Sequence, residues 1–129
     1  MTVPTVATYS ATALVDANTS FLDLVDGAVT AGTIKIRDSA DILLATIALQ
    51  DPSGTVSGIT GTLTFSTPSQ VVGSTSGTAA YGEFCDGDGV VCLSMPAQEG
   101  IAPVTGYVVL NTLTIIAGEP VGLVSGTVG

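Results

Sequence analysis

The chain has no histidine, no tryptophan and only two basic residues, Lys35 and Arg37, against eleven acidic ones. Without histidine, the common serine and cysteine nucleophile arrangements lack their base. Lysine can replace it, but Lys35 sits in a strand pattern and reads more naturally as an ion-pair residue. The two cysteines, Cys85 and Cys92, supply at most half of a tetrahedral zinc site. A net charge of -9, with both cations side by side, cannot neutralise a row of phosphates, so direct nucleic-acid binding is excluded. An anionic membrane surface is disfavoured on the same ground, whereas a basic protein surface would be attractive.

Charge of either sign is scarce: charged residues make up 10% of the chain, against about 25% in ordinary soluble domains. Much of the surface is therefore expected to be covered by neighbouring subunits, although Ser/Thr-rich secreted β-domains have a similar composition. Three tyrosines and three phenylalanines leave few platforms for a sugar-binding cleft, so the carboxylates do not suggest glycoside hydrolysis. No window reaches the roughly 18 apolar residues of a membrane span. The opening MTVPTVATYSATALV has neither a basic n-region nor a continuous apolar stretch, so no secretory signal is expected. No cofactor-binding pattern emerges either: Gly54, Gly58 and Gly61 do not follow a strand into a helix and lack GKT or GKS.

What is present is a series of short β-patterns. The stretch TIKIRDSADILLATIALQDP, residues 33–52, is the most informative. Ile34 and Ile36 alternate with Thr33, Lys35 and Arg37, and a second apolar run from Ile42 to Leu49 ends at Asp51 and Pro52. The short connection from Asp38 to Asp41 makes these two strands an antiparallel hairpin. Lys35 and Arg37 share one strand face, where they either pair with Asp38, Asp41 or a cross-strand carboxylate, or serve an intersubunit contact.

Before them, Leu14, Val15, Phe21, Leu22 and Val25 fall on one face of a 3.6-residue period. The pattern predicts an amphipathic helix over about residues 10–26, capped by Ser10 or Thr12 and followed by Gly27 in the left-handed position. Asn18, Thr19 and Ser20 weaken its middle. Residues 1–9, with Pro4, form a first edge strand or an arm reaching a neighbour. Val3, Pro4, Val6 and Tyr9 are its candidate contacts.

After a Gly/Ser-containing loop, Thr62–Thr67 reads as a half-buried strand with Leu63 and Phe65 on one face, and Val71–Val72 as a brief one. Thr78–Cys85 and Val90–Met95 form a hairpin around DGDG, with Ala80, Gly82 and Phe84 on one face and Tyr81 and Glu83 on the other. If Asp88 and Gly89 are the central pair of a type I′ turn, Cys85 lies directly opposite Cys92. That leaves either a disulfide or two free, apolar-packed thiols. Asp86 and Asp88 read as turn residues, with a weak calcium site completed by another loop as the alternative; the full calcium-loop spacing is missing.

Residues 96–103 interrupt the pattern, and Ile101 is a candidate exposed contact. Val104–Leu110, Leu113–Ile116 and the alternating Val121, Leu123, Ser125 and Thr127 complete seven or eight strands. These predict one mainly β domain over residues 10–129, an antiparallel sandwich or barrel-like fold with the N-terminal amphipathic helix across an edge or an open end.

The blocks AGTIKIRDSAD, LLATIALQDP, GTAAYGEFCDGDG and LNTLTIIAGEPVGLVSG, in this order, resemble a family of small tailed-phage virion structural proteins. The likeness runs from Ala11 onward, and none of its motifs is catalytic. It implies a late structural protein on the outer surface of the head, assembled in the host cytoplasm, that decorates or cements the capsid. Its implied partners are the major capsid protein and further copies of itself, as a homotrimer or other homo-oligomer. A tail or head-to-tail connector component, and a host-surface or carbohydrate-binding module, are the alternative readings.

Overall fold

The computed structural model describes residues 10–27, 31–50 and 52–128. The arm over residues 1–9, with Val3, Pro4, Val6 and Tyr9, and the turn residue Asp51 lie outside them.

Helix α1 (Ala11–Asp26) begins at Ser10, whose hydroxyl accepts from the Ala13 N–H at 3.2 Å and satisfies one of the amides that a helix start leaves open. Its apolar face is the expected one: Phe21, Leu22 and Val25 pack on the core, and Leu14 and Val15 are half-buried. Asn18 does not break the helix. It is buried, and its Nδ2 donates to the Gly61 carbonyl at 2.6 Å, so a locally unfavourable residue acts as a tertiary anchor. Gly27 departs from expectation, with φ -76° and ψ -13° instead of the left-handed conformation. A Cβ there would lie 2.8 Å from the Asp23 carbonyl oxygen, so glycine serves a close approach here.

The strands are β1 (Thr33–Arg37), β2 (Leu43–Ala48), β3 (Gly54–Val56), β4 (Leu63–Phe65), β5 (Val71–Val72), β6 (Gly77–Thr78), β7 (Tyr81–Cys85), β8 (Val91–Glu99), β9 (Val108–Leu110), β10 (Thr114–Ile115), β11 (Pro120–Val121) and β12 (Leu123–Val128). Eight of them form one sheet in the order β2-β1-β7-β8-β9-β12-β4-β3, and the pairs β10-β6 and β11-β5 stand apart. The β1-β2 and β7-β8 hairpins are the expected ones. Strand β3 falls in the stretch read as loop.

The sheet is antiparallel except where β8 pairs with β9 in parallel. That exception follows from β8 running on to Glu99, through Pro96, where an interruption was expected. The Ala97 N–H donates back to the Ala80 carbonyl, so the neighbouring Pro96 nitrogen faces away from β7. Pairing with β9 starts only at Ala97, so the missing proline N–H removes no ladder bond.

Phe84 of β7 and Phe65 of β4 stack with ring centroids 4.4 Å apart, although three strands separate them in the sheet. The sheet must therefore curl until its inner faces meet. Glycine allows the approach: a Cβ on Gly82 would lie 2.9 Å from Val108 Cγ2, and one on Gly126 3.1 Å from Phe84 Cζ. Phe21 of α1 meets Phe65 edge-on at 6.2 Å, extending the aromatic column into the helix. At its far end the helix is tied down by Asp26, whose carboxylate accepts from the Ser53 N–H at 3.2 Å. The result is the mainly β, sandwich- or half-barrel-like domain with one N-terminal helix that the sequence predicts. The helix lies beside edge strand β3, and its Asp26 takes up the Ser53 N–H just before that strand.

Candidate interaction surface

Alternation along β1 buries Ile34 and Ile36 and turns Thr33, Lys35 and Arg37 outward. On β7 the same alternation buries Gly82 and Phe84 and leaves Tyr81 and Glu83 outside. The register sets Lys35 opposite Glu83 and Arg37 opposite Tyr81, with Thr46 of β2 and Ser94 of β8 as their outer neighbours. Both cations of the chain thus stand on one convex sheet face, away from the core and α1.

Arg37 forms an ion pair with Glu83 through Nε, and its Nη1 donates to the Asp41 carbonyl at 3.0 Å. The hydrogen bond to Glu83 is the main reason its pKa is raised further. Tyr81 donates its hydroxyl to Asp41 Oδ1 at 2.7 Å. Asp41 has a φ of 67°, the one left-handed non-glycine residue among those described, a conformation that aspartate tolerates better than most residues. Asp38 shapes the same turn, its Oδ1 accepting from the Ala40 and Ile42 N–H groups at 2.9 Å. Of the alternatives for Arg37, the cross-strand carboxylate is the one formed. Lys35 takes part in no ion pair among the described residues.

The hydrogen bond to Asp41, with smaller contributions from desolvation and negative charge, pushes the Tyr81 phenol up from 10.0 to about 12. A raised phenol pKa stabilises the fold below the unfolded value, and that contribution is lost as pH rises through the folded one. Ultraviolet titration should therefore find one tyrosine ionising near pH 12. Asp41→Gly, which keeps the left-handed backbone but removes the carboxylate, should return it toward 10.

The sequence placed Tyr81 and Glu83 on a common face but did not bring them to Lys35 and Arg37. The usable signal was the pairing of two hairpins through β1 and β7. Ile101, 98% exposed in the connection between β8 and β9, lies outside this network.

The second hairpin closes differently from expectation. Asp86 Oδ1 accepts from the Asp88 and Val90 N–H groups, the Gly89 N–H donates to the Asp86 carbonyl, and Gly89 takes φ 85°. This is a three-residue loop, Gly87 to Gly89, ending in a left-handed glycine, not a two-residue type I′ loop. The extra length creates a bulge: Phe84 pairs with Leu93 but Cys85 with Val91. Cys92 is the residue left over, so the directly opposed cysteine pair does not form, and both thiols are free. Burial raises the pKa of each. In the folded protein at neutral pH, iodoacetamide should label half-buried Cys92 before buried Cys85, each more slowly than after unfolding, as read by mass spectrometry.

Asp86 is thereby occupied by turn amides, and the described residues contain no group of three or more ligands suited to a metal. They also enclose no pocket. What the network offers is a fixed pattern of charge and hydrogen-bonding groups on a rigid sheet. No protein-family model, curated protein or solved structure matches the chain.

Proposed function

We propose that the chain is a structural virion protein that decorates or cements a phage capsid by bridging major capsid protein subunits on the outer surface of the head. The observation that carries this reading is exposed aliphatic surface on a domain with little charge. Ile101 is 98% exposed, Ile59 87% and Val72 61%, and only 10% of residues are charged. Large aliphatic groups held in water are favourable to cover, and a repeating shell would cover them. The blocks that resemble the phage family lie on β1, β2, β6, β7 with the turn after it, and the closing strands β10 to β12. Free thiols also suit assembly in a reducing cytoplasm.

The test is a cryo-EM map of the virus particle with this chain located in it. Density repeated between capsomers across the shell is the expected result. Density confined to one vertex or along the tail overturns the cement role in favour of a connector or tail component.

A further inference from the structure

We infer that the fold withholds both of the bonds that a trypsin-like protease could cut in this chain, so that cleavage requires global unfolding. The inference does not depend on the capsid role. A trypsin-like specificity pocket selects lysine or arginine just before the scissile bond. The chain offers two such residues, Lys35 and Arg37, and both stand in β1. The stretches outside the described residues contain neither type.

Strand β1 is second in the sheet, and every one of its residues pairs with β2 on one side and β7 on the other. A protease takes the residues around the cut as a separate extended strand, so both ladders have to open first. Ile34 and Ile36, which flank Lys35, are fully buried. Freeing the bond after Lys35 therefore pulls two core side chains into water. The bond after Arg37 lies nearer the turn, but it is held too. The Arg37 side chain is 24% exposed, with Nε paired to Glu83 and Nη1 donating to the Asp41 carbonyl. Beyond the bond, the Asp38 N–H donates to the Ile42 carbonyl at 3.1 Å. The guanidinium cannot enter a specificity pocket without leaving these partners.

Exposed connections are where proteases ordinarily nick a domain. Residues 57–61 present Ile59 to solvent and residues 100–107 present Ile101, but neither connection holds a basic residue. The accessible segments thus lack the recognition residue, and the recognition residues lack access. Because β1 carries part of the core between two paired neighbours, its opening follows the global equilibrium and not a local one.

Timed trypsin digestion of the full chain across a urea series, read by gel and mass spectrometry, tests this. A small chromogenic peptide corrects for the protease's own loss of activity in urea. The folded chain should stay intact, and its cleavage rate should rise in step with the unfolded fraction seen by circular dichroism. Phe84→Ala should speed cleavage about a hundredfold or more. Ile101→Lys, at a position 98% exposed, should leave the unfolding midpoint unchanged yet be cut after residue 101 without urea. Cleavage of wild type after Lys35 or Arg37 at a rate that ignores urea would show that β1 opens locally. An Ile101→Lys variant as resistant as wild type would show that the placement of the cations is not what protects the chain. Either result overturns the inference.

Discussion

Phe84→Ala should cost about 3–5 kcal/mol, the range for removing a buried phenylalanine. Set against the roughly 5–15 kcal/mol that holds a typical domain together, this is a large fraction of the total. The reason lies in the curl. Phe84 is fully buried and stacks on Phe65, which meets Phe21 of the helix, so one ring joins three parts of the fold. The space around it is walled by Gly126 and Phe65. Glycine has no side chain to swing in, so the cavity cannot collapse easily. Guanidinium denaturation gives the measurement. A midpoint close to wild type would mean that the aromatic column does not hold the sheet closed. Phe84→Leu, which retains most of the volume, should cost distinctly less.

Gly61→Ala should have the second-largest effect. Gly61 has φ +79°, and a Cβ there would lie 2.3 Å from Leu14 Cβ and 3.0 Å from both the Ala11 carbonyl oxygen and the Val15 nitrogen. The left-handed conformation alone costs an alanine about 1–2 kcal/mol, and the contact can be relieved only by moving the helix. That movement would also draw Asn18 from the Gly61 carbonyl, leaving buried polar groups unpaired at about 1–3 kcal/mol. Hydrogen exchange should show the α1 amides losing protection while those of β1 and β7 keep theirs. Gly58, which has open space at the same position and no positive φ, is the matched control: Gly58→Ala should be neutral or slightly stabilising. Equal stability of the two variants would show that the helix is not seated on Gly61.

These two positions also mark the limit of what the sequence carried. Period-2 alternation was enough for β1, β4 and β7, because each has one buried face and a one-residue slip would expose Ile34, Leu63 or Phe84. The helix was legible for the parallel reason, its apolar stripe and Ser10 cap. Strand β3 was hidden because it is three residues long and starts at Gly54, where a glycine is needed so that β4 can approach to within 2.5 Å of a would-be Cβ. The extension of β8 was hidden by Pro96, since only the direction of its nitrogen shows that the proline is harmless. The candidate surface was half legible: alternation assigned Tyr81, Glu83, Lys35 and Arg37 to outward faces. What local pattern does not encode is that β1 and β7 are neighbours, because residues 38–80 and five other strands come between them in the chain.

The position of β12 has a consequence for how the chain acquires its shape. Its first residues pair with β9 and its last with β4, so a strand translated late separates one neighbour made shortly before it from another made much earlier. The β1-β2 and β7-β8 hairpins can form as they are synthesised, from partners close in sequence. Strands β3 and β4 can pair locally as well, but joining them to β9 has to wait for β12, which closes a long loop. During that interval β9 and β4 present open edges, which are templates for strands of other chains. The interval before β12 docks is therefore the moment of greatest aggregation risk, and its insertion between β9 and β4 is the event that ends it.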